Sequence, residues 1–276
     1  MGAVPSFAGL PLNQPRLMGV VNVTPDSFSD GGDFLDSSLA IQHGLKLSDD
    51  GADILDVGGE STRPGSAPVS IDEELARVIP VIEGLAGEGK LVSIDTRHAE
   101  VMRQAISAGA KIVNDVTALT GDPNSMRVCA ATGVNVVIMH MQGEPQTMQD
   151  NPTYDDAASD IMTYFRERVT VMQAAGIARD KIAVDPGIGF GKNLDHNLRV
   201  LSKLGDYADI NLPVLLGVSR KSFISRIDRD VPAKERMAGS VSAAIAGYTR
   251  GVRLFRVHDV AETRQALAVW DAIETA

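Results

Sequence analysis

Leu17-Met-Gly-Val-Val-Asn-Val23 is an apolar run broken by one amide near its carboxyl end. A run this short and this apolar on both faces suits a strand buried on both sides of a parallel sheet. Seven more runs follow it: Asp53–Gly58, Leu91–Asp95, Lys111–Asp115, Asn135–His140, Ile182–Asp185, Val214–Val218 and Leu254–Val257. Segments of helical spacing separate them, at Ser37–Asp50, Ile71–Glu83, His98–Ser107, Asn124–Thr132, Asp155–Ala175, Asp195–Lys203, Ala233–Thr249 and Val260–Ile273. Repeated strand–helix units in about this length predict an α/β chain folded as one (β/α)8, or TIM, barrel. A doubly wound open sheet is the runner-up, but no Gly-x-Gly-x-x-Gly turn follows any strand. Gly51-Ala52, Gly109-Ala110, Thr132-Gly133 and Ala175-Gly176 stand just past helices, where a left-handed residue closes the last turn. No composition shift or Pro/Ser-rich linker divides the chain, so residues 1–276 are expected to form a single domain with its core at about 16–274.

Composition removes several function classes. The 276 residues are 44% apolar and 22% charged, as in an ordinary globular protein. A formal charge of −10 argues against nucleic acid as a partner, because phosphate-backbone binding needs a basic face. No apolar run reaches the ~20 residues of a membrane span, and Met1 to Gln14 lacks a signal-peptide pattern, so a cytoplasmic protein is expected. The lone cysteine, Cys129, excludes an internal disulfide and reads as buried helix filler in a reducing compartment.

The functional signal is what ends the strands. Asn22, Asp56 and Glu60, Asp95, Asn114-Asp115, His140, Asp185, the Ser219-Arg220-Lys221 stretch, and Arg256 with His258 all fall at carboxyl ends. That is the face on which barrel enzymes build their sites. Taken singly, Asp56, Asp115 and Arg220 read equally well as cap or turn residues. The set has two chemical halves. Asp95, Asn114, Asp185 and Lys221 combine acceptors, an amide and an ammonium, which suits a planar heterocycle with an amino group, ring N–H groups and a carbonyl. Asn22, Arg63, Arg256 and His258 supply donors and one metal-ligating oxygen, which suits an anionic phosphate group. A single amide oxygen is enough for Mg2+, which keeps several waters and takes phosphate oxygens. Thr24–Gly32 and Gly58–Ser66 are rich in glycine and turn formers, and read as mobile loops that close over a ligand.

The motifs also carry a resemblance. Leu17-Met-Gly-Val-Val-Asn-Val-Thr-Pro-Asp-Ser-Phe-Ser-Asp-Gly-Gly32 and Asp56-Val-Gly-Gly-Glu-Ser-Thr-Arg-Pro-Gly65 resemble the first two signatures of the dihydropteroate synthases. Ser93-Ile-Asp-Thr96, Asn114-Asp115, Asp185-Pro-Gly-Ile-Gly-Phe-Gly191, Gly217-Val-Ser-Arg-Lys-Ser222 and Arg256-Val-His-Asp259 resemble the rest, in the family's order. The resemblance implies a transferase of folate biosynthesis that joins a dihydropterin diphosphate to 4-aminobenzoate. By it, Asn22 would bind Mg2+, and Arg63, Arg256 and His258 would hold the diphosphate. Asp95, Asn114, Asp185 and Lys221 would line the pterin pocket, with Met139 and Ser219 as wall contacts. Thr62, Pro64, Phe190, Lys221 and Ser222 would shape the 4-aminobenzoate site, which in the family also takes sulfonamide drugs. Asp95, Lys221, Arg256 and His258 are the candidate catalytic residues. The family is typically dimeric, and Val269 and Trp270 on the last helix would serve a homodimer, although Trp270 reads equally well as core.

Three rivals remain. A barrel methyltransferase passing a folate methyl group to a corrinoid protein would share the pterin pocket but hold no diphosphate. A non-catalytic pterin-binding paralogue is separated by a turnover assay. A phosphate-binding aldolase or isomerase would use Lys221 as a Schiff-base residue, a choice fold alone does not decide.

Overall fold

The computed structural model describes residues 5–24, 32–60, 69–143 and 147–276. A two-stranded antiparallel hairpin, β1 (Ser6–Phe7) and β2 (Leu10–Pro11), comes first. The barrel strands are β3 (Arg16–Asn22), β4 (Ile54–Gly58), β5 (Val92–Asp95), β6 (Ile112–Asp115), β7 (Asn135–Met139), β8 (Ile182–Asp185), β9 (Leu215–Leu216) and β10 (Leu254–Val257). They form one parallel eight-stranded sheet in the order β8-β7-β6-β5-β4-β3-β10-β9. A parallel bridge between Val184 and Val214, with Val184 N–H donating to the Pro213 carbonyl at 2.9 Å, brings the two ends together and closes the barrel.

Outside the sheet lie α1 (Gly32–Asp49), α2 (Ile71–Gly87), α3 (Ala99–Ser107), α4 (Ser125–Thr132), α5 (Ala157–Ala174), α6 (Leu194–Ser202), α7 (Ser222–Ile227), α8 (Met237–Tyr248) and α9 (Val260–Glu274). The expected strands and helices are present with shifted ends. Helix α2 continues past Glu83 to Gly87, and at Gly84 Ile41 of α1 packs directly on its backbone, where a Cβ would collide with that side chain. The segment expected as one helix over Ala233–Thr249 is a 3-10 turn at Ala233–Glu235 followed by α8. Before it stands α7, whose six residues are too few to show a helical period.

Strand side chains alternate between two environments, because successive residues of a strand point to opposite faces. Leu17, Val21, Leu55, Val57, Val92, Ile94, Val113, Val136, Ile138, Val184, Leu216 and Phe255 pack with the helices. The opposite parity faces the barrel axis. Met18, Ile54, Ile112, Val137, Ala183, Leu215 and Leu254 form a separate apolar layer, sealed by Phe7 and Leu12 at the amino end of the barrel. Phe7 is 1% exposed, so the hairpin acts as a plug. Continuing the inward parity toward the carboxyl ends gives Asp56, then Asn22, Asp95, Asn114, Met139, Asp185 and Arg256. Apolar at the base and polar at the mouth, the inward row is what places the site.

The expected loops Thr24–Gly32 and Gly58–Ser66 lie mostly outside the described residues. Cys129 is buried on α4, and burial pushes its thiol up to about 12, consistent with filler. Among the described residues no helix is long and apolar enough to cross a membrane.

Candidate active site

Arg256, near the end of β10, braces the mouth. Its Nε donates to Asp56 Oδ2 at 2.6 Å and its Nη2 to Asp95 Oδ2 at 2.7 Å. Asn114 Nδ2 donates to the same Asp56 oxygen at 3.1 Å, while the other, Oδ1, is buried without a partner among the described residues. Asp56 is wholly buried on β4 and anchors this cluster from below. Burial opposes the Arg256 charge, but Asp56 and Asp95 outweigh it and hold the guanidinium firmly protonated. Burial foremost pushes the Asp95 carboxyl up to about 7; Arg256 draws it down, and Asp56 and Asp115 raise it again. Two of the five N–H donors of the guanidinium are spent on these carboxylates, and the others meet no partner among the described residues.

Ser219 and His258 form a second pair beside it. Ser219 Oγ accepts from the His258 backbone N–H at 3.2 Å and lies 3.0 Å from His258 Nδ1. Burial, then the charges of Arg256 and Arg220, lower the His258 ring to about 3, so it is neutral at physiological pH. With the Ser219 hydroxyl donating to Nδ1, the ring proton sits on Nε2, a donor for an anion.

Across the mouth, Asp185 is buried at the end of β8 and accepts from Gly187 N–H at 2.7 Å. Burial raises its pKa; the Gly187 amide, Lys221 and Arg256 oppose that rise. Lys221 lies just after β9, its Nζ 4.0 Å from the centroid of the Phe190 ring, a cation–π contact. Gly217 lies next to this carboxylate: a Cβ there would stand 3.5 Å from Asp185 Oδ2, an ordinary contact. Met139 is buried on the inward face of β7. Ser222 opens α7 at the surface next to Lys221.

The structure therefore gathers Asp95, Asn114, Arg256 and Asp56 into one network, and pairs Ser219 with His258 and Phe190 with Lys221. Thr62, Arg63 and Pro64 lie outside the described residues. Asn22 ends β3 beside Gly58, and among the described residues no side-chain partner meets its amide. No three His, Cys, Asp or Glu side chains among the described residues converge as a metal cage. One neutral amide oxygen fits a Mg2+ whose other ligands are water and phosphate oxygens.

Of the three residues with two open readings, Asp56 supports the site and the other two are structural. Asp115 has outward parity, is fully buried, and accepts from Thr117 N and Oγ1, each at 2.7 Å, and from Leu119 N at 3.0 Å. Arg220 pairs with Asp259 through Nε at 3.0 Å and through Nη2, which commits its guanidinium to that carboxylate. Its φ of 59° puts it in the left-handed region, a strain that tertiary contacts must hold. Sequence reasoning missed Lys192, which is buried beneath the turn after β8. Its signal was present: a lysine just before the Asn193 cap of α6 sits against the helix dipole, so something other than the helix must favour it. His140, expected at a strand end, contacts Lys192.

Comparison with known proteins agrees with this geometry. A family model described as pterin binding enzyme matches residues 18–258. The dihydropteroate synthase of Escherichia coli (strain K12) is 46% identical over 264 residues, covering 95% of this chain and 93% of that protein. The solved structure of Xanthomonas albilineans dihydropteroate synthase with 4-aminobenzoic acid has a TM-score of 0.91 at 46% identity, over 97% of this chain and 96% of its own. The Yersinia pestis dihydropteroate synthase with a sulfonamide drug complex gives 0.91 at 44% identity, over 97% of each chain.

Proposed function

Because the chain belongs to the dihydropteroate synthase family of pterin-binding enzymes, we propose that its barrel mouth joins (7,8-dihydropterin-6-yl)methyl diphosphate to 4-aminobenzoate. The products are 7,8-dihydropteroate and diphosphate, and the enzyme is a transferase of an alkyl group. The observation that carries this reading is the bracing of Arg256 between Asp56 and Asp95. It sets a permanently charged guanidinium, with N–H donors to spare, beside a pocket of acceptors. An anion and a heterocycle joined through one carbon fit that juxtaposition, whereas folate methyl transfer has no task for such a cation.

The reaction breaks the bond between the pterin methylene carbon and a diphosphate oxygen, then forms a C–N bond to the aryl amine. Aryl amines are weak nucleophiles, so cleavage runs ahead of attack, through a resonance-stabilised pterin cation. Arg256, His258 through Nε2, and Arg63 hold the departing charge, as preorganised donors do in a water-poor site. Asp95, in its ionised form, balances the positive charge of the pterin. Asn114, Asp185 and Lys221 read the edge of the ring, with Met139 and Ser219 beside it. Phe190, Lys221 and Ser222, with Thr62 and Pro64, shape the place of 4-aminobenzoate, where a sulfonamide competes. The amine proton leaves with diphosphate or water. Mg2+ at Asn22, when bound, supplies further charge neutralisation for the diphosphate.

We also place the enzyme in the cytoplasm, in keeping with its single buried cysteine, and read it as a homodimer. Val269 and Ile273 on α9 are 54% and 64% exposed and offer an apolar strip for a second copy, while Trp270 packs toward the core.

The test is the transfer itself. Purified protein with Mg2+, the dihydropterin diphosphate and 4-aminobenzoate should yield dihydropteroate and diphosphate in equal amounts. Tight pterin binding without product would overturn the reading in favour of methyl transfer or a non-catalytic paralogue.

A further inference from the structure

Lys192 is 1% exposed, and no step of the proposed reaction uses it. Its Nζ is enclosed by acceptors: Phe190 O at 2.9 Å, Gly187 O at 3.0 Å, His140 Nδ1 at 3.1 Å and His140 O at 3.2 Å. Four acceptors around three N–H donors favour the ammonium, since a lone pair there would face only oxygen and nitrogen lone pairs. Burial draws its pKa down to about 7, and Asp185 opposes that fall. The His140 ring is held neutral, at about 3, by burial and then by the Lys192 charge, so its Nδ1 is free to accept. Tyr164 stands edge-on to that ring, with centroids 5.0 Å apart, and closes one side of the cage.

The bonds to Lys192 tie the end of β7 to the turn that follows β8. That turn runs Asp185-Pro-Gly-Ile-Gly-Phe-Gly191 and is tightly folded. Gly187 has φ 67°, and a Cβ on it would collide with the His140 carbonyl oxygen. Its N–H is held by Asp185 Oδ1 and its carbonyl by Lys192. Gly187, whose amide sets the Asp185 carboxylate, is thus held through both of its flanking peptides. The Phe190 carbonyl is held by the same ammonium, and the Phe190 ring carries Lys221 above it. One buried cation therefore sets three residues that face the substrates without touching the substrates itself.

We propose that Lys192 is a positioning residue, fixing Asp185 on the pterin side and the Phe190–Lys221 wall on the 4-aminobenzoate side, with His140 completing its cage. This rests on the reading of the mouth as a dihydropteroate synthase site. The effect should be larger for 4-aminobenzoate, because the Phe190 carbonyl meets Lys192 directly, whereas Asp185 retains its bond to the Gly187 amide. A loop displaced by a fraction of an ångström costs rate and affinity at a site of this kind.

The test compares wild type with Lys192→Met, which keeps the volume and removes every N–H, and with two variants of the cage. His140→Leu removes one acceptor; His140→Asn keeps an oxygen about where Nδ1 stood. Steady-state kinetics should show KM for 4-aminobenzoate raised about tenfold in Lys192→Met, KM for the pterin substrate raised less, and kcat changed least. His140→Leu should move in the same direction by a smaller factor, and His140→Asn should restore most of the loss. In the ligand-free proteins, amide hydrogen exchange over Gly187–Gly191 should quicken in Lys192→Met and His140→Leu. Wild-type KM values and exchange in His140→Leu would overturn the inference, even if Lys192→Met failed to fold. Equal loss in His140→Leu and His140→Asn would also overturn it, since that is damage to packing. A wild type making no dihydropteroate would sink the functional reading instead, and the exchange comparison would still decide on Lys192.

Discussion

Arg256 of β10 reaches across the barrel mouth to Asp56 of β4, Nε to Oδ2 at 2.6 Å, over a sequence separation of 200 residues. Asp56 is fully buried, which suits a task of aiming and charge-balancing the guanidinium. Removing one partner of a buried ion pair leaves an uncompensated charge and costs about 3–5 kcal/mol; with Arg256 partly open to the mouth, the lower end applies. Asp56→Ala is therefore expected to lose roughly 3 kcal/mol of stability, read by denaturant unfolding. It should also lower kcat/KM for the dihydropterin diphosphate by about a hundredfold, because the guanidinium is no longer aimed. Unchanged kinetics in a folded Asp56→Ala would show that Arg256 needs no brace.

Asn114 and Asp115 are neighbours with opposite tasks. Asn114→Ala should raise KM for the pterin substrate by about ten- to a hundredfold with a small change in stability, the asymmetry expected when a recognition group is lost. Asp115→Ala strands two amides and a hydroxyl that its carboxylate now serves. It should cost roughly 2–4 kcal/mol of stability and leave KM near wild type. Thermal unfolding and substrate titrations on the two variants separate these outcomes.

That contrast shows what could be read in advance. Alternation predicts that Asn114, with Asp95 and Asp185, faces the axis and that Asp115 faces the helices, so parity alone could have decided Asp115. The inward polar row was legible because strand period and strand ends are both sequence features. The Asp56–Arg256–Asp95 bridge was not, since it depends on which strands become neighbours when the barrel closes. The hairpin plug escaped for a local reason. Its turn is Ala8-Gly9, with φ 50° and 82°, where the usual Asn-Gly signal is missing. Lys192 was signalled only by its place before the α6 cap, because three of its four acceptors are backbone carbonyls, which a sequence does not distinguish.

The Asp95 carboxyl titrates well above the ordinary carboxylate range, near 7, chiefly through burial. Its ionised form is the one that balances a pterin cation, so kcat/KM should fall as pH drops below about 7. Arg256 lowers this pKa, so in Arg256→Gln the acid limb should move to higher pH on a much reduced rate. For stability the sign is opposite to that of an ordinary ion-paired Asp. The folded state holds the Asp95 proton more tightly than the unfolded chain between about 4 and 7, so this contribution shrinks as pH rises through that window. Asp95→Asn should remove that slope from the unfolding free energy measured against pH. An acid limb that stays in the ordinary carboxylate range would refute the assignment.

Mg2+ should matter to turnover and not to folding, because a single amide oxygen at Asn22 cannot hold the ion without the diphosphate. Chelation is expected to abolish transfer while leaving the melting temperature of the ligand-free protein unchanged. Asn22→Ala should raise the Mg2+ concentration needed for half-maximal rate. A large drop in melting temperature on chelation would point to a structural ion instead.

The measurement that bears most directly on the site is the rate of C–O cleavage in a single turnover. Enzyme in excess over dihydropterin diphosphate, with saturating 4-aminobenzoate and Mg2+, is quenched at intervals and diphosphate is counted, for wild type and Arg256→Ala. Cleavage in the variant should slow by about a hundred- to a thousandfold, the scale of losing one preorganised donor to a developing anion. The dissociation constant for the pterin substrate should rise by a much smaller factor. Equal cleavage rates, with all of the loss in binding, would contradict the central claim that the guanidinium held by Asp56 and Asp95 carries the departing charge.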